Sequence, residues 1–177
     1  MTIRQTKAKG DFVDTLISVV ALDDVVSLLA FSVAISVATA SVAGSVDAFA
    51  ELMNAKAKEI GLENTHFTNP HGLDNEEHYT TARDLAKLAA HALSNPRFRE
   101  IVSTYRHNIT VGDETRYLLN HNKMLRLYDG AIGVKTGFTR AAGRCLVSAA
   151  ERNGRTVIAV TLNDPDDWND HIALLDD

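Results

Sequence analysis

The sequence predicts an α+β fold, in which an N-terminal apolar helical segment precedes an antiparallel sheet flanked by helices. Three observations support this prediction. Residues 25–46 contain no charged side chain, the middle of the chain repeats apolar residues at helical spacing, and the last third holds strand-like runs separated by turn dipeptides. The chain has 177 residues, 45% hydrophobic and 23% charged, which is typical of a globular domain with a buried core and excludes a mainly disordered chain.

The uncharged stretch at residues 25–46 has two interpretations. As a continuous helix it would be roughly 33 Å long, which is enough to cross a bilayer. Asp23 and Asp24 directly precede it, and two adjacent acids within a span would be costly unless they served a function. A buried helix of a soluble domain accounts for the same residues. We therefore treat residues 1–43 as a separate apolar segment and leave membrane association through residues 25–46 open.

Helices are expected through the middle of the chain. Ser45 or Asp47 can cap a first helix, and Gly61 can end it. A loop rich in Asn, His, Pro and Gly follows at residues 64–79. The run that begins at Thr81 is a capping box of the Asp type, which opens a second helix, and a short third helix is expected after it.

The last third predicts strands arranged in hairpins. The runs at 105–111 and 114–119 flank a Gly-Asp turn, and the runs at 144–151 and 155–162 flank an Asn-Gly turn, which is a strong hairpin signal. The second pair is apolar on both strand faces, so we expect both faces to be covered, and helices are the available cover. A final helix is expected near the C-terminus.

Charge and metal-ligand counts exclude several classes of function. The formal net charge is -5, which argues against a nucleic-acid partner held by a broad basic surface. A single cysteine, Cys145, excludes an internal disulfide and a cysteine-cluster metal site. His66, His71 and His78 share one loop, but their spacing does not match a helical zinc pair, so a hydrogen-bonded structural loop is the better interpretation. We therefore expect no metal site.

The triplet Lys135, Thr136 and Gly137 carries the most chemical information. It lies on a predicted strand at residues 133–137, where an ammonium and a hydroxyl can together hold a carboxylate. Glycine at the third position lets a substrate backbone approach closely. In serine enzymes that act on β-lactams and D-alanyl peptides, Lys-Thr-Gly accompanies the motifs Ser-x-x-Lys and Ser-x-Asn. The alternative is an ordinary exposed strand.

Residues 44–175 resemble the serine-type D-alanyl-D-alanine carboxypeptidases, the low-molecular-weight penicillin-binding proteins of peptidase family S11. The resemblance follows the family's order and spacing. It is carried by residues 43–58, 64–74, 79–85, 98–104, 129–139 and 143–150. Residues 163–170 also resemble members from Gram-positive bacteria. The resemblance implies that residues 44–177 form a partial β-lactamase/transpeptidase-like domain.

The resemblance also implies a reaction and a binding site. The family removes the terminal D-alanine of peptidoglycan stem peptides through an acyl-serine intermediate without a cofactor, and β-lactams acylate the same serine. Lys135 and Thr136 would bind the substrate carboxylate, with Gly137 and Thr139 beside them. The backbone N–H of Phe138 would be one oxyanion-hole donor. The implied location is the cell envelope, at the outer face of the cytoplasmic membrane.

The sequence departs from the family at the nucleophile. Neither Ser-x-x-Lys nor Ser-x-Asn occurs in the 177 residues, and the expected Ser-x-Asn position, counted back from Gly44, holds Ala30-Phe31-Ser32. We identify no nucleophile or base, and therefore predict an incomplete carboxypeptidase that is inactive alone. The alternative is a membrane-associated fusion or fragment that at most binds D-alanyl peptides or β-lactams.

A second resemblance concerns the segment that stands in place of that motif. Residues 13–38 resemble a membrane segment of monovalent cation/proton antiporters, in which Asp23 and Asp24 would be an ion or proton site. This resemblance predicts a fusion of two unrelated pieces. The alternative is that residues 11–43 are a divergent helical part of the carboxypeptidase domain.

Overall fold

The computed structural model describes residues 41–176. The antiporter-like segment at 13–38 lies outside the described residues. Of the predicted segment at 1–43, only residues 41–43 are described, and they are helical. Of the uncharged stretch at 25–46, only residues 41–46 are described. Within the described part of the chain, no helix has both the length and the hydropathy needed to cross a membrane.

Residues 41–176 form a mixture of helices and antiparallel strands, as the sequence predicts. The helices are α1 (Val46–Glu59), α2 (Ala82–Leu93), α3 (Pro96–Ser103), α4 (Met124–Leu127) and α5 (Asp167–Asp176). The strands are β1 (Arg106–Val111), β2 (Glu114–Leu119), β3 (Ala131–Thr139), β4 (Gly143–Arg152) and β5 (Arg155–Thr161). β1 pairs with β2, and a second antiparallel sheet has the order β3-β4-β5.

The helix boundaries follow local sequence signals. The Ser45 hydroxyl accepts a hydrogen bond from the backbone N–H of Ala48 at 3.0 Å, so Ser45 is the residue that caps α1. Gly61 follows the helix with φ +74, a left-handed conformation that glycine adopts without steric cost. The Thr81 hydroxyl accepts from the N–H of Asp84 at 3.2 Å and so caps α2, as predicted.

The described residues divide into two units. One contains the β1–β2 hairpin together with residues 41–53 and 68–72. In this hairpin Asn108 pairs with Tyr117, and the predicted Gly-Asp turn joins the strands. Tyr117 is 71% exposed. The predicted hairpin is therefore present, and its strands present largely exposed side chains.

The other unit is built around the three-stranded sheet, whose central strand β4 contributes to two apolar clusters. Leu146 and Ala150 pack with residues of α4, β5 and α5, while Ala149 packs with residues of α2. The first cluster contains Met124, Tyr128, Ala159 and Leu175, and the second contains Ala89, Leu93 and Val134. Helices therefore cover both faces of β4, as its apolar sequence predicts.

A buried polar network attaches α5 to the sheet. His171 is fully buried; its Nδ1 lies 2.7 Å from the Ser148 hydroxyl on β4, and its Nε2 lies 3.1 Å from the Thr161 hydroxyl on β5. Burial lowers the pKa of His171, while the carboxylates of Asp167 and Asp164 partly oppose that shift. The helix thus docks through a neutral imidazole between two hydroxyls.

Candidate substrate-binding strand

The sheet register aligns the predicted site residues along one strand. Lys135 on β3 pairs with Val147, and the following four residues pair in sequence down to Gly143 on β4. Within residues 41–176, β3 pairs with β4 alone, so its other edge has no strand partner there. An unpaired edge offers backbone N–H and C=O groups to an extended peptide. The five predicted residues, Lys135 to Thr139, are therefore consecutive on an edge strand.

Lys135 is exposed to solvent, and the pKa of its ammonium is lowered. The residue is exposed, and its Nζ donates a hydrogen bond to the Thr136 carbonyl at 2.5 Å. Even so, burial of the ammonium by neighbouring protein atoms lowers the pKa of Lys135 from its ordinary value. An approaching carboxylate would favour the charged form, so a bound anion would oppose this shift.

Thr136 and Gly137 differ in what surrounds them. Thr136 is half-buried and pairs with Leu146, which is fully buried, so the core anchors the backbone at this point. Gly137 is exposed, and a Cβ added there would lie 3.8 Å from the Cβ of Cys145, an ordinary contact. Packing within the described chain therefore does not require glycine at position 137, whereas close approach by an external backbone would.

Phe138 presents a large apolar side chain beside the predicted carboxylate site. The residue is 70% exposed although it lies within a strand. It pairs with Arg144 at the start of β4. A side chain so exposed adds little to the core and leaves an apolar ring accessible on the strand.

The Thr139 hydroxyl is engaged within the chain. It donates to Asp74 Oδ1 at 2.7 Å and accepts from the backbone N–H of Ala142 at 2.9 Å. Asp74 comes from the loop at 64–79, far away in sequence. Asp74 is not among the predicted site residues, although it lies at the end of the family-like stretch 64–74.

Hydrogen bonds hold the loop that carries Asp74. The side chain of Asn54 makes two 2.8 Å bonds with the backbone of Phe67, one as donor and one as acceptor. His66 exchanges two backbone hydrogen bonds with Tyr79, and its Nδ1 lies 2.6 Å from the Glu77 carbonyl. These contacts give the loop a defined geometry. In the described part of the chain, no group of three or more His, Cys, Asp or Glu side chains could hold a metal ion.

Asp84 anchors the start of the same loop from within α2. The residue is 1% exposed, and its Oδ2 accepts from the Asn64 N–H at 2.7 Å and the Thr65 hydroxyl at 2.9 Å. Burial acts to raise the pKa of Asp84, but these hydrogen bonds and the nearby Lys87 ammonium outweigh it and lower that pKa. The charged carboxylate is thus the form that the fold stabilises.

Comparison with known proteins identifies the family. The sequence model of the D-alanyl-D-alanine carboxypeptidases, peptidase family S11, matches residues 16–166. The chain therefore belongs to this family, and the resemblance seen in the sequence is confirmed.

Individual relatives agree with that assignment. The D-alanyl-D-alanine carboxypeptidase DacF of Bacillus subtilis is 38% identical over 120 residues, which is 67% of this chain and 31% of the relative. A D-alanyl-D-alanine carboxypeptidase of Streptomyces sp. strain K15 is 40% identical over 126 residues, which is 68% of this chain and 43% of the relative. The chain thus spans less than half the length of these two curated relatives.

Solved structures show the same fold. A crystal structure of a D-alanyl-D-alanine carboxypeptidase from Mycobacterium tuberculosis superposes with a TM-score of 0.72 at 32% identity, covering 81% of this chain and 57% of that one. A mutant of the Streptomyces K15 DD-transpeptidase gives 0.69 at 39% identity, covering 74% and 54%. The fold is therefore that of these DD-peptidases and transpeptidases.

The family match also bears on the N-terminal segment. It begins at residue 16, inside the segment predicted at residues 1–43. The resemblance of residues 13–38 to antiporters stays a prediction.

Proposed function

We propose that β3 is the substrate-binding strand of a D-Ala-D-Ala carboxypeptidase domain, which takes peptidoglycan stem peptides ending in D-alanine. The observation that carries this proposal is the placement of Lys135, Thr136 and Gly137 in sequence on the edge of β3 that has no strand partner within residues 41–176. A peptide lying along that edge can use backbone hydrogen bonds for affinity while its C-terminal carboxylate meets the ammonium and the hydroxyl.

Each residue of the strand has its own part in the proposed site. Lys135 and Thr136 hold the terminal carboxylate, and Gly137 lets the peptide backbone approach. The backbone N–H of Phe138 donates a hydrogen bond to the oxygen of the scissile carbonyl and stabilises the negative charge that develops there. Thr139 completes the strand. β-Lactams, which carry a carboxylate and a reactive carbonyl, are proposed ligands of the same strand.

Turnover needs a nucleophile in addition to this strand. In an acyl-serine reaction the serine oxygen attacks the peptide carbonyl, D-alanine leaves with a proton, and water then cleaves the ester and restores the serine. The 177 residues contain neither Ser-x-x-Lys nor Ser-x-Asn. This observation favours a second candidate function, binding of D-alanyl peptides or β-lactams without turnover. Neither function calls for a metal or an organic cofactor.

The proposed location is the cell envelope, at the outer face of the cytoplasmic membrane, where the proposed substrate is found. Membrane association through residues 25–46 is a part of this proposal that rests on sequence alone.

Labelled penicillin separates the two candidates. We expect no covalent label on this chain after denaturation, and no D-alanine released from diacetyl-Lys-D-Ala-D-Ala, because no serine stands in the family's nucleophile pattern. A stable covalent adduct, or D-alanine release that Lys135→Ala abolishes, would show that another residue acts as nucleophile and would overturn the inactive candidate.

A further inference from the structure

The loop that ends at Asp74 and the strand that ends at Thr139 meet through one hydrogen bond. The two residues are 65 positions apart in sequence, and the Thr139 hydroxyl donates to Asp74 Oδ1 at 2.7 Å. We propose that Asp74 is a positioning residue that fixes the end of the substrate strand through Thr139. This inference rests on the proposed function of β3.

The hydrogen-bonding capacity of a hydroxyl limits what Thr139 can do. A threonine hydroxyl has one proton to donate and two lone pairs that accept. Thr139 gives its proton to Asp74 and accepts one hydrogen bond from the Ala142 N–H. An ionised carboxylate only accepts, so Thr139 has no proton left for the substrate carboxylate while Asp74 holds it. Thr139 therefore supports the site by shaping the strand end.

The hydrogen bond acts where the strand is least constrained by the sheet. Thr139 and Gly143 are the last β3–β4 pair before the turn, and the Ala142 contact closes that turn. Phe138, the proposed oxyanion donor, immediately precedes Thr139. A binding site loses affinity when its donors move by about 0.5 Å, so the geometry of this terminal pair matters for the ligand.

The other side of the turn is already held by packing. Gly143 has φ +69, and a Cβ added there would lie 2.1 Å from Asn163 Oδ1, so the loop before α5 lies directly against the start of β4. The β4 side of the turn is thus fixed by close contact. On the β3 side the corresponding constraint is the Asp74 hydrogen bond to Thr139.

The test combines four variants with two readouts. The variants are Asp74→Ala, Asp74→Asn, Thr139→Val and the double variant Asp74→Ala/Thr139→Val. Glu76→Ala, in the same exposed loop, is the control. The readouts are hydrogen exchange of the Ala142 amide in the free chain and the Kd for diacetyl-Lys-D-Ala-D-Ala. Asp74 and Glu76 are exposed and Thr139 is half-buried, so no variant empties the core and we expect all of them to fold, which circular dichroism would check.

We expect Asp74→Ala to speed exchange at Ala142 several-fold and to raise Kd about fivefold, as for the loss of one hydrogen bond. Asp74→Asn, whose carbonyl still accepts, should stay within about twofold of the parent. The double variant should match Thr139→Val alone, because Asp74 acts through Thr139.

Three outcomes would overturn the inference. They are unchanged exchange and Kd in Asp74→Ala, additive effects in the double variant, or an effect of Glu76→Ala as large as that of Asp74→Ala. If the parent chain does not bind the peptide, the proposed function of β3 fails. The exchange of Ala142 then still decides whether Asp74 positions the turn.

Discussion

Gly143 shows how a single residue sets the spacing between β4 and the loop before α5. Its φ of +69 disfavours any L side chain, and a Cβ would lie 2.1 Å from Asn163 Oδ1 and 3.2 Å from Asn163 Cα. Gly154, in the β4–β5 turn, has a similar φ of +72 but nothing within 4 Å of an added Cβ. Both glycines have a left-handed backbone, but only Gly143 would also clash with a neighbour if it carried a side chain. Comparing them therefore separates the cost of backbone strain from the cost of a steric clash.

We predict that Gly143→Ala destabilises the fold more than Gly154→Ala does. Gly154→Ala should cost about 1 kcal/mol for its left-handed backbone alone, and Gly143→Ala about 2–4 kcal/mol, since overpacking adds to that strain. Urea unfolding of both variants measures the difference. Equal losses would mean that the Asn163 contact imposes no constraint.

The Asp84 carboxylate predicts how the free energy of unfolding changes at acid pH. Its pKa is lower in the folded chain than in the unfolded one, so it contributes stability above its ordinary value of 3.8. That contribution is lost as pH falls through the folded pKa. The stability gap between the parent and Asp84→Asn should therefore be larger at pH 7 than at pH 3 in urea unfolding. Asp113→Asn, in an exposed turn, is the control, and a gap independent of pH would contradict the account.

At the scale of elements, local signals predict the hairpins and helix starts, whereas long-range contacts are not readable from the sequence. The Asn153-Gly154 turn adopts positive φ at both residues and joins β4 to β5, and Thr81 caps α2, both as predicted. The contact between Asp74 and Thr139 was missed because it joins residues 65 positions apart. No periodicity or capping rule addresses a pairing at that distance.

The docking of α5 is expected to depend on pH through His171. Its pKa is depressed in the folded chain, so its contribution to stability is full above 6.5 and is lost as pH falls through the folded pKa. The charged groups identified near it are Asp167 and Asp164, which favour the cation, while Ser148 and Thr161 present neutral hydroxyls.

Trp168, the single tryptophan of the chain, lies on α5 and reports on this docking. The thermal midpoint followed by its fluorescence should fall between pH 7.5 and pH 5.5, and His171→Gln should reduce that fall. His107→Gln, on the exposed β1 strand, should leave it unchanged. A pH dependence that persists in His171→Gln would assign the effect to another group.

At the scale of the whole molecule, the family was predictable from the sequence. Motifs such as Lys135-Thr136-Gly137 identified the D-alanyl-D-alanine carboxypeptidases, and the family match confirms them. The expected boundary at residue 44 is where the resemblance to the family begins, and the family model matches from residue 16. Average polarity alone does not distinguish a membrane segment from a buried segment of the same domain. The domain boundary at residue 44 stays a prediction.

The central claim is that β3 binds the carboxylate of a D-alanyl peptide through Lys135. Its most direct test is the Kd for diacetyl-Lys-D-Ala-D-Ala, measured by calorimetry for the parent chain, Lys135→Ala and the control Lys58→Ala on the exposed face of α1. We predict saturable binding that Lys135→Ala weakens about tenfold or more, as expected for a charge-assisted contact, and that Lys58→Ala leaves unchanged. Equal affinities in the parent and Lys135→Ala would contradict the account.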